Sequence, residues 1–357
     1  MTDTTAAAAQ PSLPPRAQLF EIVLGYWRTR AITVAAELEI ADHLASRPLS
    51  LDDLACRTHT HAPTLFRLLR ALESIGVFKQ ISPVVFSNTP MSECLRRRVS
   101  GSLWAFVRAG MSVGEGQFDA WTGLRGSVQT GTAAFDKIYG FGFLEFLKRN
   151  PDSWELLNEE MRSVQAQETP AVTAAYNWSR FPVIADIGGG IGSQLVDILG
   201  AHPACRGIVF DLPETVAQAI PHERVERVGG SFFESVPSGA DAYILRSVIH
   251  DWADPEAVAI LKTVRAAAKQ DARVILIELI LPDTPEYTYS KWQDLHMLLV
   301  AAGQERTASE YRQLLETAGF ELEQIVSTPA QMNLIIARPR QSRGISGSQR
   351  NLGQAGD

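Results

Sequence analysis

The chain has 357 residues, 45% hydrophobic and 20% charged, which exceeds what one core usually fills and reads as two soluble globular domains. With 33 Lys plus Arg against 40 Asp plus Glu, the net charge of −7 repels a phosphate backbone and argues against nucleic acid as a partner. The N-terminus lacks a basic start followed by an apolar block, and no run of about 18 apolar residues occurs, so the expectation is a cytoplasmic protein with no membrane partner.

Residues 1–16 and 339–357 are polar, rich in Gly, Ser, Pro or Ala and without periodicity, and both are expected to be disordered. From 17 to 175 the texture is helical. "RAITVAAELEIADHLA" lays Ile32, Ala35, Ala36, Leu38 and Ile40 along one broad apolar face, and "PTLFRLLRALESIGVF" repeats Leu65, Leu68, Leu69 and Leu72 before Gly76 stops the helix. "VFKQISPVVFSNTP" then alternates like a small hairpin. Helix, helix and hairpin outline a winged-helix unit over 17–110, with 111–175 a helical connector. The helix in the recognition position carries Arg67 and Arg70 but is otherwise apolar, which suits burial against a second subunit better than reading DNA, and predicts a homodimer formed through this domain.

From 176 to 338 strands alternate with helices: "PVIADIG", "RGIVFDL", "RVERVGGS", "DAYILRSVIH" and "ARVILIELIL" are the strands. This predicts an α/β fold, a doubly wound Rossmann-like parallel sheet. Thr307-x-x-Glu310 is a capping box, and "FELEQIVS" and "MNLIIARP" form an antiparallel C-terminal hairpin on the sheet. In "LRSVIHDWADPEA" a buried strand stops on His250, Asp251 and Trp252, and Asp254 is expected to cap a helix with Pro255 at its first position.

"DIGGGIG" at 186–192 sits between a strand and a helix, where open α/β sheets bind ligands. A dinucleotide fingerprint starting at Gly188 needs Gly or Ala at 193, which is Ser; the loop is instead acid-x-G-x-G-x-G with Gly188, Gly190 and Gly192. Asp186 puts a carboxylate where a pyrophosphate would approach, favouring a cofactor with a positive amine. Asp211 ends the next strand, the place for an acid that accepts from both ribose hydroxyls. On the plainer alternative the glycines only make a tight turn and Asp211 only caps the helix after Pro213. Loop and acid together imply a nucleoside with a cationic tail, which S-adenosyl-L-methionine is.

With these features in place the chain resembles the class I S-adenosylmethionine-dependent O-methyltransferases shared by plant phenolic and bacterial natural-product pathways. "DIGGGIG", "FDLPETV", "VGGSFFESVP", "LRSVIHDW" and "GQERTASEYRQLLETAGF" follow that family's motif order, over about residues 20 to 338. The resemblance implies that Asp186, Gly188, Gly190, Asp211, Leu212, Ser231, Phe232 and Arg246 line the cofactor, with Trp252 beside the adenine. Two positions depart from the commoner pattern: Ser231 stands where the family usually has Asp, which weakens the adenine contact, and Arg246 replaces a frequent Lys.

The resemblance also implies that His250 is the general base and that Glu278 and Glu305 hold its ring. A phenol with pKa about 10 is ionised to only about one part in a thousand at pH 7, roughly 4 kcal/mol of barrier, and an imidazole can recover much of it. Phenols and acidic enols of aromatic small molecules are therefore the expected acceptors. Without the family, Glu278 reads as a solvated strand end and Glu305 as a first-turn acid. Asp251 either touches the substrate hydroxyl or joins the following helix cap. The acceptor pocket is expected from Asn158 and Met161 in the helical connector and from His296 and Met297 in "DLHMLLVAAG", although stripes at this spacing are more often ordinary core.

Neither H-E-x-x-H nor paired Cys and His occurs, so a metal is not expected and a magnesium-dependent catechol mechanism is disfavoured. Cys56, Cys94 and Cys205 are far apart and read as reduced, small core hydrophobes. Three rival functions stay open on the sequence: N-methylation of a heteroaromatic nitrogen, a non-methylating relative that assists decarboxylation or hydroxylation, and a winged-helix regulator that senses the cofactor.

Overall fold

The leucine spacing of "PTLFRLLRALE" produces a helix at Ala62–Glu73 that buries Leu65, Leu69 and Leu72 and leaves Arg67 and Arg70 in solvent. It belongs to the first of two compact units that meet in sequence at Gln167 and Glu168, inside the helix Pro151–Ala174. The computed structural model describes residues 13–341. The readings of disorder at 1–12 and 342–357 lie outside the described residues. At the inner edges of those segments the expectation is corrected: Pro15 and Arg16 already open a helix, Pro15–Val23, because proline suits a first helical turn, and β12 (Asn333–Pro339) ends on Pro339 with the Arg340 N–H donating to the Gly319 carbonyl.

In the first unit, β1 (Leu49–Ser50), β2 (Phe78–Ser82) and β3 (Val85–Asn88) form an antiparallel sheet in the order β1-β3-β2, packed on a core of Ile40, Leu54, Leu69, Leu72, Phe78 and Phe86. The long helix read over "RAITVAAELEIADHLA" is broken at Glu39, whose φ of 49° turns the chain between Gly25–Glu37 and Ile40–His43. Helices Pro15–Val23 and Gly25–Glu37 expose Leu19, Phe20, Ile22, Val23, Tyr26 and Trp27. Of the three cysteines only Cys205 is buried; Cys56 and Cys94 are exposed, because each falls on the solvent side of a short helix end rather than on its apolar stripe.

The second unit is built on a seven-stranded sheet, which uses β4 (Val183–Ile187), β5 (Arg206–Asp211), β6 (Val225–Gly229), β7 (Ala242–Arg246), β8 (Arg273–Glu278), β11 (Phe320–Ser327) and β12. Its order is β11-β12-β8-β7-β4-β5-β6; β8 through β6 are parallel, while β12 runs antiparallel to β8 and β11 antiparallel to β12. β7 and β8 read as unbroken apolar runs because both faces are covered: Tyr243, Leu245, Val274 and Leu276 pack on one side, Ile244, Ile275 and Ile277 on the other. The chain order reverses at β4, flanked by β5 and β7, so the carboxyl ends of β4 and β7 frame the crevice where such sheets bind ligands. Beside it, β9 (Ile280–Leu281) pairs in parallel with β10 (Arg306–Thr307), which brings Glu305 back to the end of β8. The Thr307–Glu310 capping box forms as read.

Candidate active site

β7 ends at Arg246, and the chain then turns through Ser247, at φ 50°, into a short turn of 3-10 helix, Ile249–Asp251. The helix that follows is Asp254–Ala267, and here the expected cap is corrected: Ala253 occupies the cap position without a side-chain bond, and Asp254 is the first helical residue. Its carboxylate is drawn instead to the Arg306 guanidinium and the Gln304 amide.

His250 sits at the centre of this turn, its side chain 14% exposed. Nδ1 lies 2.8 Å from Glu305 Oε1 and 4.0 Å from Glu278 Oε2, while Nε2 is 3.5 Å from Asp251 Oδ1. The two glutamates are therefore not equivalent. Glu305 bonds the ring, whereas Glu278, fully buried, uses Oε1 to accept the backbone N–H groups of Val248 and Ile249 and so fixes the turn that carries the ring. Oε2 of each glutamate is buried without a hydrogen-bond partner. Burial by itself would lower the His250 pKa, but the charges of Asp251, Glu278 and Glu305 outweigh it and raise the value to about 10. Burial raises the Glu278 carboxyl, opposed by the His250 charge. Nearby His296 is lowered to about 4 by burial and by the charge of His250, so it stays neutral.

His250, Glu278 and Glu305 also place one ligand-type atom each within 4.8 Å of one another, a grouping that spacing in sequence did not reveal. The same three residues are engaged in the imidazole–carboxylate contact and in holding the turn.

The crevice at β4 carries the second cluster. Asp186 is 1% exposed, and its Oδ1 has no hydrogen-bond partner. Burial raises its pKa to about 7, with Arg246 opposing and Asp211 adding to the shift. Gly188 has φ +66°, and a Cβ there would lie 2.8 Å from Val248 Cγ2 and 3.6 Å from the Phe232 ring; Gly190 has φ +58° and open space where its side chain would be. Asp211 accepts the N–H of Gly190 on Oδ2 and that of Leu212 on Oδ1, both at 2.7 Å, so it also ties the glycine loop to β5. Ser231 is half-buried, its Oγ accepting the Phe233 N–H at 3.3 Å. Phe232, Phe233 and Trp252 meet edge to face, with Phe233 and Trp252 centroids 4.8 Å apart. Phe233 is not among the residues the sequence singled out; its only signal there is its place next to Phe232.

Arg246 is more committed than expected. Nη1 donates to Thr169 Oγ1 and Gln194 Oε1, Nη2 bonds Glu168 Oε2 at 2.7 Å, and Nε is buried without a partner. Thr169, Gln194 and Glu168 carried no sequence signal beyond their polarity. Among the expected acceptor residues, Met297 is buried in helix Tyr289–Ala301, with its sulfur accepting from Gln293. Asn158, half-buried, and Met161, 38% exposed, belong to the first unit, where Glu160 between them is buried, hydrogen-bonded to Gln117 and raised to about 7 by burial. Among the described residues no helix is long and apolar enough to cross a membrane.

Comparison with known proteins identifies the family. Residues 121–321 match the O-methyltransferase domain and residues 20–98 the O-methyltransferase dimerisation domain. The chain is 37% identical over 346 residues to the phenazine O-methyltransferase PhzM of Lysobacter antibioticus, covering 95% of this chain and 100% of that one. It is 31% identical over 346 residues to a phenazine-1-carboxylate N-methyltransferase of Pseudomonas aeruginosa, covering 94% and 99%. The crystal structure of human N-acetylserotonin methyltransferase in complex with SAM superposes with a TM-score of 0.84 at 26% identity, over 93% of this chain and 100% of that one.

Proposed function

The chain belongs to the O-methyltransferase family that uses S-adenosylmethionine, and from that premise we propose that it methylates a phenolic or enolic hydroxyl of an aromatic small molecule, with His250 as general base. The observation that carries this reading is the 2.8 Å bond between His250 Nδ1 and the buried Glu305 carboxylate. With Nδ1–H donating to Glu305, the lone pair is on Nε2, which is the atom left to accept a proton.

The residues at β4 fit the cofactor. A buried carboxylate oxygen without a partner in Asp186 calls for a cation or donor, and Gly190 leaves open the space a side chain would fill, while Gly188 lets the loop pass close to Val248 and Phe232. Asp211, with spare lone pairs beyond its two backbone bonds, is placed for ribose hydroxyls, with Leu212 beside it. Ser231, Phe232 and Trp252 form the adenine wall, and Arg246 holds Glu168 and Gln194 near the amino-acid end. When bound, S-adenosylmethionine supplies a methyl group on a positively charged sulfur.

His250 takes the acceptor's hydroxyl proton onto Nε2, and the oxygen is left electron-rich for displacement. The carboxylates raise the base to about 10, close to the pKa of a phenol. Proton transfer is then nearly even, whereas an unperturbed imidazole, at about 6.5, would be about 5 kcal/mol uphill. The free protein consequently holds His250 charged at neutral pH, and only the fraction that has lost its Nε2 proton to solvent, which grows as pH rises toward 10, can act as the base. Asp251 lies beside Nε2 and is placed to touch the substrate hydroxyl. Met297 is assigned to acceptor binding in this reading, and Asn158 and Met161 are kept as candidates for contacting the acceptor.

We assign residues 17–110 to forming a homodimer, 111–175 to a connector that helps build the acceptor site, and 176–338 to catalysis, in a cytoplasmic enzyme of natural-product biosynthesis. The exposed apolar side chains of the first two helices and the match to a dimerisation domain support the homodimer. N-methylation is the second reading, favoured by the N-methylating relative. Transfer of labelled methyl to a panel of phenols and heteroaromatic amines tests both. Product on phenols, lost in His250→Ala, is expected; product on amines alone, or full activity in His250→Ala, overturns the first reading.

A further inference from the structure

Arg306 follows Glu305 directly, is only 1% exposed, and spends most of its guanidinium on the turn that carries His250 and on the first residue of the helix after it. Nε and Nη2 reach Asp254 Oδ1 at 3.0 and 2.8 Å, Nη1 donates to the Ile249 carbonyl at 3.1 Å, and Nη2 donates to the Trp252 carbonyl at 2.8 Å. The Gln304 N–H donates to the His250 carbonyl at 2.9 Å. A Cβ on Gly303 would come within 2.2 Å of that same carbonyl oxygen, so the approach is possible only without a side chain. Residues 303–306 thus grip the turn at His250, Ile249, Trp252 and Asp254, while Glu305 within the same segment bonds the ring. Nothing about the guanidinium touches a reacting atom; it acts on where the imidazole stands.

We propose that Arg306 is a positioning residue, which together with the side-chain-free Gly303 locks the His250 turn against Glu305 and so sets the placement of the imidazole. The planar fork is needed because three acceptors in different directions are served at once, which an ammonium cannot reproduce. Arg306→Lys keeps the charge but lets the turn drift, and Gly303→Ala displaces the same turn from the other side without altering Arg306. The inference rests on His250 being the base only for its kinetic consequence.

The decisive readout is the pKa of His250 in the free protein, followed by the ring-proton NMR shift of that residue against pH. In both variants it is expected to fall by at least one unit, because the ring leaves Glu305. The turnover number on a phenol acceptor is expected to drop about 10- to 100-fold, the size expected for roughly 1 Å of misplacement, with KM for the acceptor changed less than about threefold. A folded variant with lowered melting temperature but unchanged His250 pKa and pH profile would reduce Arg306 to a structural residue and overturn the proposal. A lowered pKa with unchanged turnover would uphold the positioning and instead refute His250 as the base. If Arg306→Lys does not fold, Gly303→Ala carries the same test, and an unshifted pKa there has the same force.

Discussion

Replacing Glu305 by Gln removes one charge from the base without changing the shape of the side chain. The bond it makes to His250 Nδ1 is 2.8 Å long and both partners are buried, so solvent screens little of it. A hydrogen bond to a charged group contributes about 1.5–3 kcal/mol and a neutral one about 0.5–1.5, a difference of about 1 to 1.5 kcal/mol, or about one unit of pKa. Glu278 at 4.0 Å and Asp251 at 3.5 Å remain, so the His250 pKa stays above that of a free imidazole. The amide can face the ring in two ways. With its oxygen toward Nδ1 the tautomer is kept and the turnover number falls about tenfold; with its NH2 toward Nδ1 the proton is forced onto Nε2, and the loss reaches about 10⁴-fold. Initial rates on a phenol from pH 6 to 11.5 at saturating cofactor measure both, and the rising limb, near pH 10 in the parent, should move about one unit toward acid while the plateau drops. A Glu305→Gln enzyme with plateau and limb within twofold of the parent would refute the assignment of Glu305 as the group that orients the base.

Three further substitutions test the same geometry. Asp186→Asn should weaken S-adenosylmethionine binding at least about tenfold by calorimetry, because the unpartnered carboxylate that meets the cation is gone. The same substitution should raise the melting temperature, and more at pH 8 than at pH 5: the Asp186 pKa is raised to about 7, so the native state loses stability as pH climbs through that value and the neutral amide does not; a larger gain at pH 5 would contradict this. Ser231→Asp should tighten adenosine-containing ligands about fivefold by restoring a charged acceptor for the adenine amine, and unchanged affinity would place the adenine elsewhere. For His250 the folded value of about 10 exceeds the 6.5 of a free imidazole, so its charged form stabilises the protein fully below pH 6.5 and ceases to do so as pH rises through 10. The melting-temperature gap between parent and His250→Asn should therefore be widest near pH 6 and close toward pH 10; a gap that is constant with pH would show that the imidazolium is not held by the carboxylates.

The sheet and its ligand crevice were legible because they depend on local grammar. Apolar runs of strand length, a glycine loop between strand and helix, and an acid ending the next strand are each fixed by neighbours in sequence, and their meeting point follows from the reversal at β4. Asp186 and Asp211 could be proposed for that reason, whereas the role proposed for His250 came from the family resemblance. What escaped was whatever depends on a third residue far away in the chain. Asp254 has the composition of a helix cap, yet Arg306, 52 residues on, takes its carboxylate, and the cap passes to Ala253. Glu278 and Glu305 looked like two equal supports for one ring, but the paired β9 and β10 bring only Glu305 within bonding distance, leaving Glu278 to hold backbone N–H groups. Arg246 was read as a cation reaching for a ligand, and Thr169, Gln194 and Glu168 already surround it.

These departures share a cause with consequences for the chemistry. A buried charge costs several kcal/mol unless it is paired, so polar side chains under a ligand crevice recruit one another from distant segments. Where pairing is complete, as at Arg306, the result is a rigid support. Where it is incomplete, as at Asp186 Oδ1 and at Oε2 of Glu278 and Glu305, the unmet demand marks the places where charge is expected to arrive: a cation at β4 and a proton on the imidazole. The orphaned oxygens gather at the carboxyl ends of β4 and β8, the two strands that flank β7, and β7 supplies the turn between them. An enzyme that must bring a positive sulfur and a basic nitrogen to the same small substrate needs its unpaired acids at two such points.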